Sequence, residues 1–523
     1  MRAFVCALLL LALGGCAARG SAAHDPSTLV ILEAGDAGSI EPLLTNQYYA
    51  FLYQNLIFDT LLGTGANYVP TPKLALRWES NPAGTVWTVH LRSGVRWSDG
   101  TPFSAADVVW TFDALIDPKT GSPYQGQYAF IKRVVAPDPR TVRFELSSPN
   151  ATFVANALQS QWIMPAHVFA GIPHAQIRTT PFGEHPIGTG PYALVRWQHD
   201  QECLLRANPL WWGGTPRVRQ IDVRVILDAQ GATDAMLNGD ADVDDGIGAE
   251  ASERLRTDPG IVQVNIPDLY TRFMQINFHV RGLDDVTVRR AMLYGWDREG
   301  IARGLRHGTA TVASSVIPAG LPPWHDDAVK PYPYDPARAA ALLDRAGWAR
   351  GADGVRAKNG VRLSFTVLMP QGPLDNDIAA EFQADMRQIG IAIAPRLIDY
   401  ATFIQETNAS KFDLAWTGWG GAPDPDQLTL LDSKQIPPTG NNYGYFRDPA
   451  VDRDVEAGLL TNDPVKRRRY YDDMQERNAQ NIPVLFGNNE NYLAAYRKRV
   501  HVAGPLMPGL YFYTNVTDWT LDP

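Results

Sequence analysis

A chain of 523 residues is long enough for roughly three domains and for a core that needs no disulfide staple. Its 56 acidic against 47 basic side chains give a formal charge of −9, so it lacks the basic footprint that nucleic-acid binding requires. Of the three cysteines, at 6, 16 and 203, only Cys203 is expected to remain as an unmodified thiol after export, which leaves no pair for an internal disulfide.

The chain opens with an export signal, residues 1–23. Arg2 supplies a positive start, Phe4 to Leu13 an apolar run, and small residues follow. Leu13-Gly14-Gly15-Cys16 matches the bacterial lipobox, in which cleavage before Cys16 exposes a thiol for lipid attachment. That would anchor a soluble body on a membrane without spanning it. Secretory cleavage after Ser21-Ala22-Ala23 is the alternative and would release a free periplasmic protein. No later segment offers the roughly 20 apolar residues of a spanning helix, so the mature chain is expected to be soluble.

From Thr85 a period of two places Trp87, Val89 and Leu91 on one face of a strand. Ser98-Asp99-Gly100 then reads as a turn. Ser104 and Asp107 are spaced as a capping box for a helix through Val108, Phe112 and Leu115, which Asp117-Pro118 stops. Val142, Phe144 and Leu146 alternate as another strand, and Ile187 to Tyr192 enters a hairpin. Strand Ile221 to Val225, a helix ending at Asn238-Gly239 and a strand over Asp240 to Val243 read as a βαβ unit with a sheet buried on both faces. Cys203 beside Leu204 and Leu205 reads as a core residue.

Past residue 270 the pattern restarts with a strand at Met274, Ile276 and Phe278 and a helix over Val288 to Tyr294. The helix Pro336 to Ala346 is capped by Asp335 and ended by Gly347. Strand Val361 to Val367, a helix ending near Ile389-Gly390, strand Ile391 to Ala394, a helix near Phe403 and strand Phe412 to Trp416 complete a second α/β body.

No nucleophile elbow, zinc-binding helix or phosphate loop is present, so no catalytic residue and no cofactor are assigned. Gly188-Thr189-Gly190 is followed by Pro191, which removes an amide a phosphate cradle would use. Asp240, Asp242, Asp244 and Asp245 before Gly246 miss calcium-loop spacing and read as a solvated strand edge and turn. His167, His174 and His185 lack ligand spacing, so no metal is assigned.

Leu74 to Trp78, Trp87 to Val95 and Asp99 to Val109 together resemble the signature of the oligopeptide and dipeptide-binding proteins of ABC importers. Gly188 to Tyr192, Asn208-Pro209 with Trp211 to Gly214, Val288 to Ala291 and Asn441-Asn442-Tyr443 match later blocks of that family. The resemblance implies an α/β, two-lobed periplasmic-binding-protein-like fold of three domains with its cleft between the lobes. Lobe one would comprise 24–45, 170–268 and 490–523, an added domain 46–169, and lobe two 269–489. It also implies a monomer that captures a peptide or other small molecule and passes it to membrane permease subunits.

By the same resemblance an extended peptide would pair with a strand formed by Trp416, Thr417, Gly418, Trp419 and Gly420, because backbone pairing tolerates varied side chains. A buried strand with glycines for packing is the alternative. Similar proteins place an Asp where this chain has Ala422, and an Arg and a Tyr where it has Gln371 to Leu374. Asp424 is the substitute acid for a ligand ammonium, with turn or cap duty as its other reading. Asn46, Tyr48, Tyr270 and Arg272 complete the expected ligand site; a sugar conjugate, an opine or a metal chelate stays open as the alternative to a peptide, and a lipoprotein hydrolase as the alternative to a binding protein.

Overall fold

The computed structural model describes residues 26–522; the segment read as an export signal, with Cys16, lies outside them. One large sheet holds eleven strands. They are β1 (Thr28–Glu33), β2 (Tyr192–Gln198), β3 (Glu202–Ala207), β4 (Gln220–Val225), β5 (Val243–Asp245), β6 (Ile261–Ile276), β7 (Ala310–Val312), β8 (Ser364–Pro370), β9 (Ala392–Ile398), β10 (Leu414–Gly420) and β11 (Val484–Arg497). Their spatial order is β9-β8-β10-β6-β11-β5-β1-β4-β3-β2, with β7 on β11.

Every residue of β1, Thr-Leu-Val-Ile-Leu-Glu, is buried, as an unbroken apolar run demands of a central parallel strand. It pairs in parallel with β4 on one side and β5 on the other. The helix Ala229–Asn238 therefore carries the chain across β1. Gly239 ends that helix at φ 84°, a conformation that favours glycine.

The acidic run around β5 departs from expectation. It is an interior strand between β1 and β11, starting at Val243, and only Asp240 keeps a solvated position. Asp242 is 1% exposed; Arg499 grips it through Nε at 2.5 Å, and it accepts the Val30 amide at 2.9 Å.

In the other half β8 lies parallel to both β9 and β10. β10 continues the sheet antiparallel to β6. Among the described residues only β6 and β11, of 16 and 14 residues, run through both halves. The sequence expected β6 as a short strand around Met274, because Pro267 and Asp268 break its apolar pattern.

A separate four-stranded sheet orders Ala75–Ser80, Val86–Leu91, Thr141–Leu146 and Ile131–Asp138. Trp87, Val89 and Leu91 point into its core. The helix Ala105–Ile116 that packs on it carries the expected capping box, Ser104 N–H donating to Asp107 Oδ2 at 2.8 Å. Gly188 and Gly190 press on the Ile57 carbonyl, where an added Cβ would sit 1.8 and 2.6 Å from its oxygen; they are packing glycines. Cys203 is fully buried, and burial pushes its thiol well above the usual range.

Candidate ligand site

The two halves of the sheet meet where β6 and β11 lose register. Ile261 to Pro267 pair with Arg497 to Asn491, and pairing resumes at Thr271 with Asn489. Pro267 has no amide to donate. The break in register is filled from the second half: the Leu269 carbonyl accepts the Gly421 amide at 2.7 Å.

β10 reaches this junction with one side open. Leu414 and Ala415 pair with β8, whereas Trp416 to Gly420 pair only with β6 among the described residues. An unpaired strand edge is a template for another extended chain. Thr417 and Trp419 are half-buried there.

Trp416 is 1% exposed, its ring edge-on to Trp296 at 5.9 Å. It is core, so it offers no ring face to a ligand. Gly418 and Gly420 admit close approach by their own protein. A Cβ on Gly418 would stand 2.3 Å from the Tyr270 ring. Gly420, at φ 143°, passes so near the Leu269 carbonyl that a Cβ would lie 1.8 Å from its oxygen.

Beyond that edge lies a charged cluster. Glu490 Oε1 receives Arg272 Nε at 3.1 Å and an Arg306 terminal nitrogen at 2.7 Å. The Arg272 guanidinium also covers the Tyr270 ring at 5.0 Å. Asp375, in the first turn of the helix Pro373–Gln388, has its carboxyl raised by burial, with Arg272 and Arg306 opposing the rise. The loop scanned for a basic clamp thus delivers an acid.

Asp424, expected as the acid for a ligand ammonium, is held in an internal ion pair. Both of its oxygens are taken by Arg467 at 2.7 Å, with side-chain exposures of 7% and 6%. The Arg467 guanidinium rests against Trp324 and Tyr471. Sequence neighbours could not announce this pair, since 43 residues separate its members.

On the other half Asn46 is exposed and Tyr48 is 50% exposed. Burial, and then Asp245, Glu33 and Asp268, hold the Tyr48 hydroxyl above its usual range, so these three acids lie near enough to act on it. Glu33, 7% exposed, has its carboxyl raised by burial and by Asp245 and Asp244. Burial lifts Asp244 to about 6. Asp245 is raised chiefly by burial too, with the Tyr492 and Tyr513 hydroxyls opposing the rise; it accepts the Tyr492 hydroxyl at 3.1 Å, while its Oδ1 has no hydrogen-bond partner among the described residues. Among the described residues no group of His, Cys, Asp and Glu is arranged to hold a metal ion.

The expected set thus divides. Thr417, Gly418, Trp419, Gly420, Tyr270, Arg272 and Tyr48 gather around the junction, while Trp416 and Asp424 are spent on packing and an internal ion pair. Glu33, Asp244, Asp245, Arg306, Asp375 and Glu490 were not singled out from sequence. A charged residue closing an apolar strand, as Glu33 closes β1, is the one legible signal.

Two α/β halves that share a sheet only through a pair of continuous strands define a hinged solute-binding protein. The chain belongs to the bacterial extracellular solute-binding proteins of family 5, whose middle region matches residues 69–436. A Brucella melitensis protein named for ABC-transporter peptide binding is 31% identical over 458 residues, covering 86% of this chain and 84% of that one. The dipeptide-binding protein of Escherichia coli is 26% identical over 547 residues, with 98% of each covered. The solved structure of NikZ from Campylobacter jejuni in complex with Ni(L-His) matches at a TM-score of 0.77 and 27% identity, covering 95% of this chain and all of that one. No helix among the described residues is long and apolar enough to cross a membrane.

Proposed function

We propose that this chain is the capture subunit of an ABC importer, binding an extracytoplasmic peptide or peptide-like ligand by hinge closure and handing it to permease subunits in the membrane. The open edge of β10 beside the junction carries the reading, because an extended ligand can complete that ladder with its backbone alone. Lobe one is assigned to 24–45, 170–268 and 490–523, the added domain to 46–169 and lobe two to 269–489. Ligand contacts are assigned to Thr417, Gly418, Trp419, Gly420, Tyr270, Arg272, Tyr48 and Asn46. The protein acts as a monomer, anchored through lipidated Cys16, and binds without covalent chemistry.

Ligand favours the closed state through contacts that the open state lacks. Half-buried Trp419 should therefore change its fluorescence, and the melting temperature should rise, on saturation with a mixed peptide library. Mass spectrometry of ligand carried through purification identifies the species. A library that produces neither change removes the peptide assignment; recovery of a metal chelate, the kind of ligand NikZ holds, replaces it.

A further inference from the structure

We propose that the carboxylates of Glu33 and Asp245 form a cation-binding end of the cleft, so that the captured ligand docks an ammonium or guanidinium group on lobe one beside Tyr48. The inference rests on the hinged-capture reading and names the chemistry of one end of its ligand.

Position is the first ground. β1 lies between β4 and β5, both parallel to it, so the strand order reverses at β1. Ligands of open α/β sheets gather at the carboxyl ends of strands at such a point. Glu33 and Asp245 are the carboxyl-terminal residues of β1 and β5, each one residue past the paired Leu32 and Asp244. Alternation puts Glu33 on the face of Ile31, which packs in one cluster with Tyr492 and Tyr513, and Tyr492 is the residue that bonds Asp245.

The second ground is that these acids have no cationic partner among the described residues. Glu33 is 7% exposed, yet its carboxylate makes no hydrogen bond or ion pair among the described residues. Asp245 Oδ1 is buried and unpaired. Among the described residues no ion pair joins a lysine or arginine to Glu33, Asp244 or Asp245, and burial and neighbouring acids lead what raises their carboxyls. Arg272 and Arg306, on lobe two, are committed to Glu490, and Arg499 is bound to Asp242.

Uncompensated buried acids are kept at a cost in stability, and a cation arriving with the ligand removes that cost. Tyr48, whose hydroxyl feels both Asp245 and Glu33, is 50% exposed, and aromatic rings attract cations. The acids would thus reward closure only around a positively charged group.

The test titrates the purified protein and its Glu33→Gln/Asp245→Asn double variant with three tripeptide libraries. One has free amino termini and no lysine or arginine, one is N-acetylated with lysine, and one is N-acetylated and uncharged. Either amine-bearing library should bind at least about tenfold more tightly than the uncharged one, a preference the double variant loses while keeping its affinity for the uncharged library. The first two libraries separate an α-amine from a side-chain amine as the source of the cation. Without ligand, the double variant should melt no lower than the parent.

Equal binding of all three libraries, an equal loss for charged and uncharged members, or a lower melting temperature of the unliganded variant overturns the proposal. Should no peptide of any charge bind, the peptide reading fails separately, and agmatine and putrescine become the probes. Stabilisation by these amines that the double variant lacks then upholds the cation site, and no stabilisation overturns it.

Discussion

Arg272 and Glu490 join the two long strands at the junction, Arg272 Nε donating to Glu490 Oε1 at 3.1 Å. Arg306 shares the same oxygen at 2.7 Å, so one carboxylate serves two guanidiniums. Glu490→Gln would leave both without their main counter-charge. Full removal of a buried partner costs about 3–5 kcal/mol, and since Glu490 keeps 22% side-chain exposure, a loss of roughly 1–3 kcal/mol in denaturant unfolding is expected.

Asp424→Asn should destabilise more, by about 3–5 kcal/mol, because it strips the charge from a bidentate pair almost sealed from water. Ligand affinity of the folded variant should stay at the parent value by titration. A selective loss of affinity with unchanged stability would return Asp424 to the ligand site.

The glycines of β10 separate stability from binding. Gly420→Ala forces a φ of 143° on a residue with a Cβ, a strain of about 1–3 kcal/mol, and adds a clash with the Leu269 carbonyl. Thermal unfolding should show a loss at or above that range. Gly418→Ala meets the Tyr270 ring, which can swing toward the cleft; its expected signature is weakened ligand binding with the smaller fall in melting temperature.

Stability should fall as pH rises. Glu41, 4% exposed, is lifted by burial to about 7, Asp244 to about 6, and Glu33 and Asp245 also stand above the usual carboxylate range. A carboxyl whose folded pKa exceeds its unfolded one binds more protons when folded, so its contribution is complete below the unfolded pKa and is lost as pH climbs through the folded one. Denaturant unfolding of the unliganded protein at pH 5, 6, 7 and 8 should give a declining series. Glu41→Gln should flatten it between roughly 5 and 7.

Much of the frame could be read directly. The capping box at Ser104, the alternation of Trp87, Val89 and Leu91, the helix Pro336–Arg345 and the buried strand holding Cys203 each depend on near neighbours in sequence, and local physics is enough to place them. β6 escaped that reading because Pro267 and Asp268 interrupt its pattern, and only pairing with β11, more than 200 residues away, makes one strand of Ile261–Ile276.

The candidate site divides along the same line. The family resemblance implied the Trp416 to Gly420 strand as the ligand's pairing partner and set Tyr270 near the hinge; the structure leaves one edge of that strand without a pairing among the described residues. Whether a given acid faces ligand or a protein cation was beyond the sequence, because a carboxylate's role is set by what lies within a few ångströms and those neighbours come from distant segments. Arg467 claims Asp424 across 43 residues and Arg499 claims Asp242 across 257, while among the described residues no basic group pairs with Glu33. Sequence determined the exported solute-binding class through local pattern and family blocks; the tertiary structure decided which charges are left over, since neutralisation depends on distance in space.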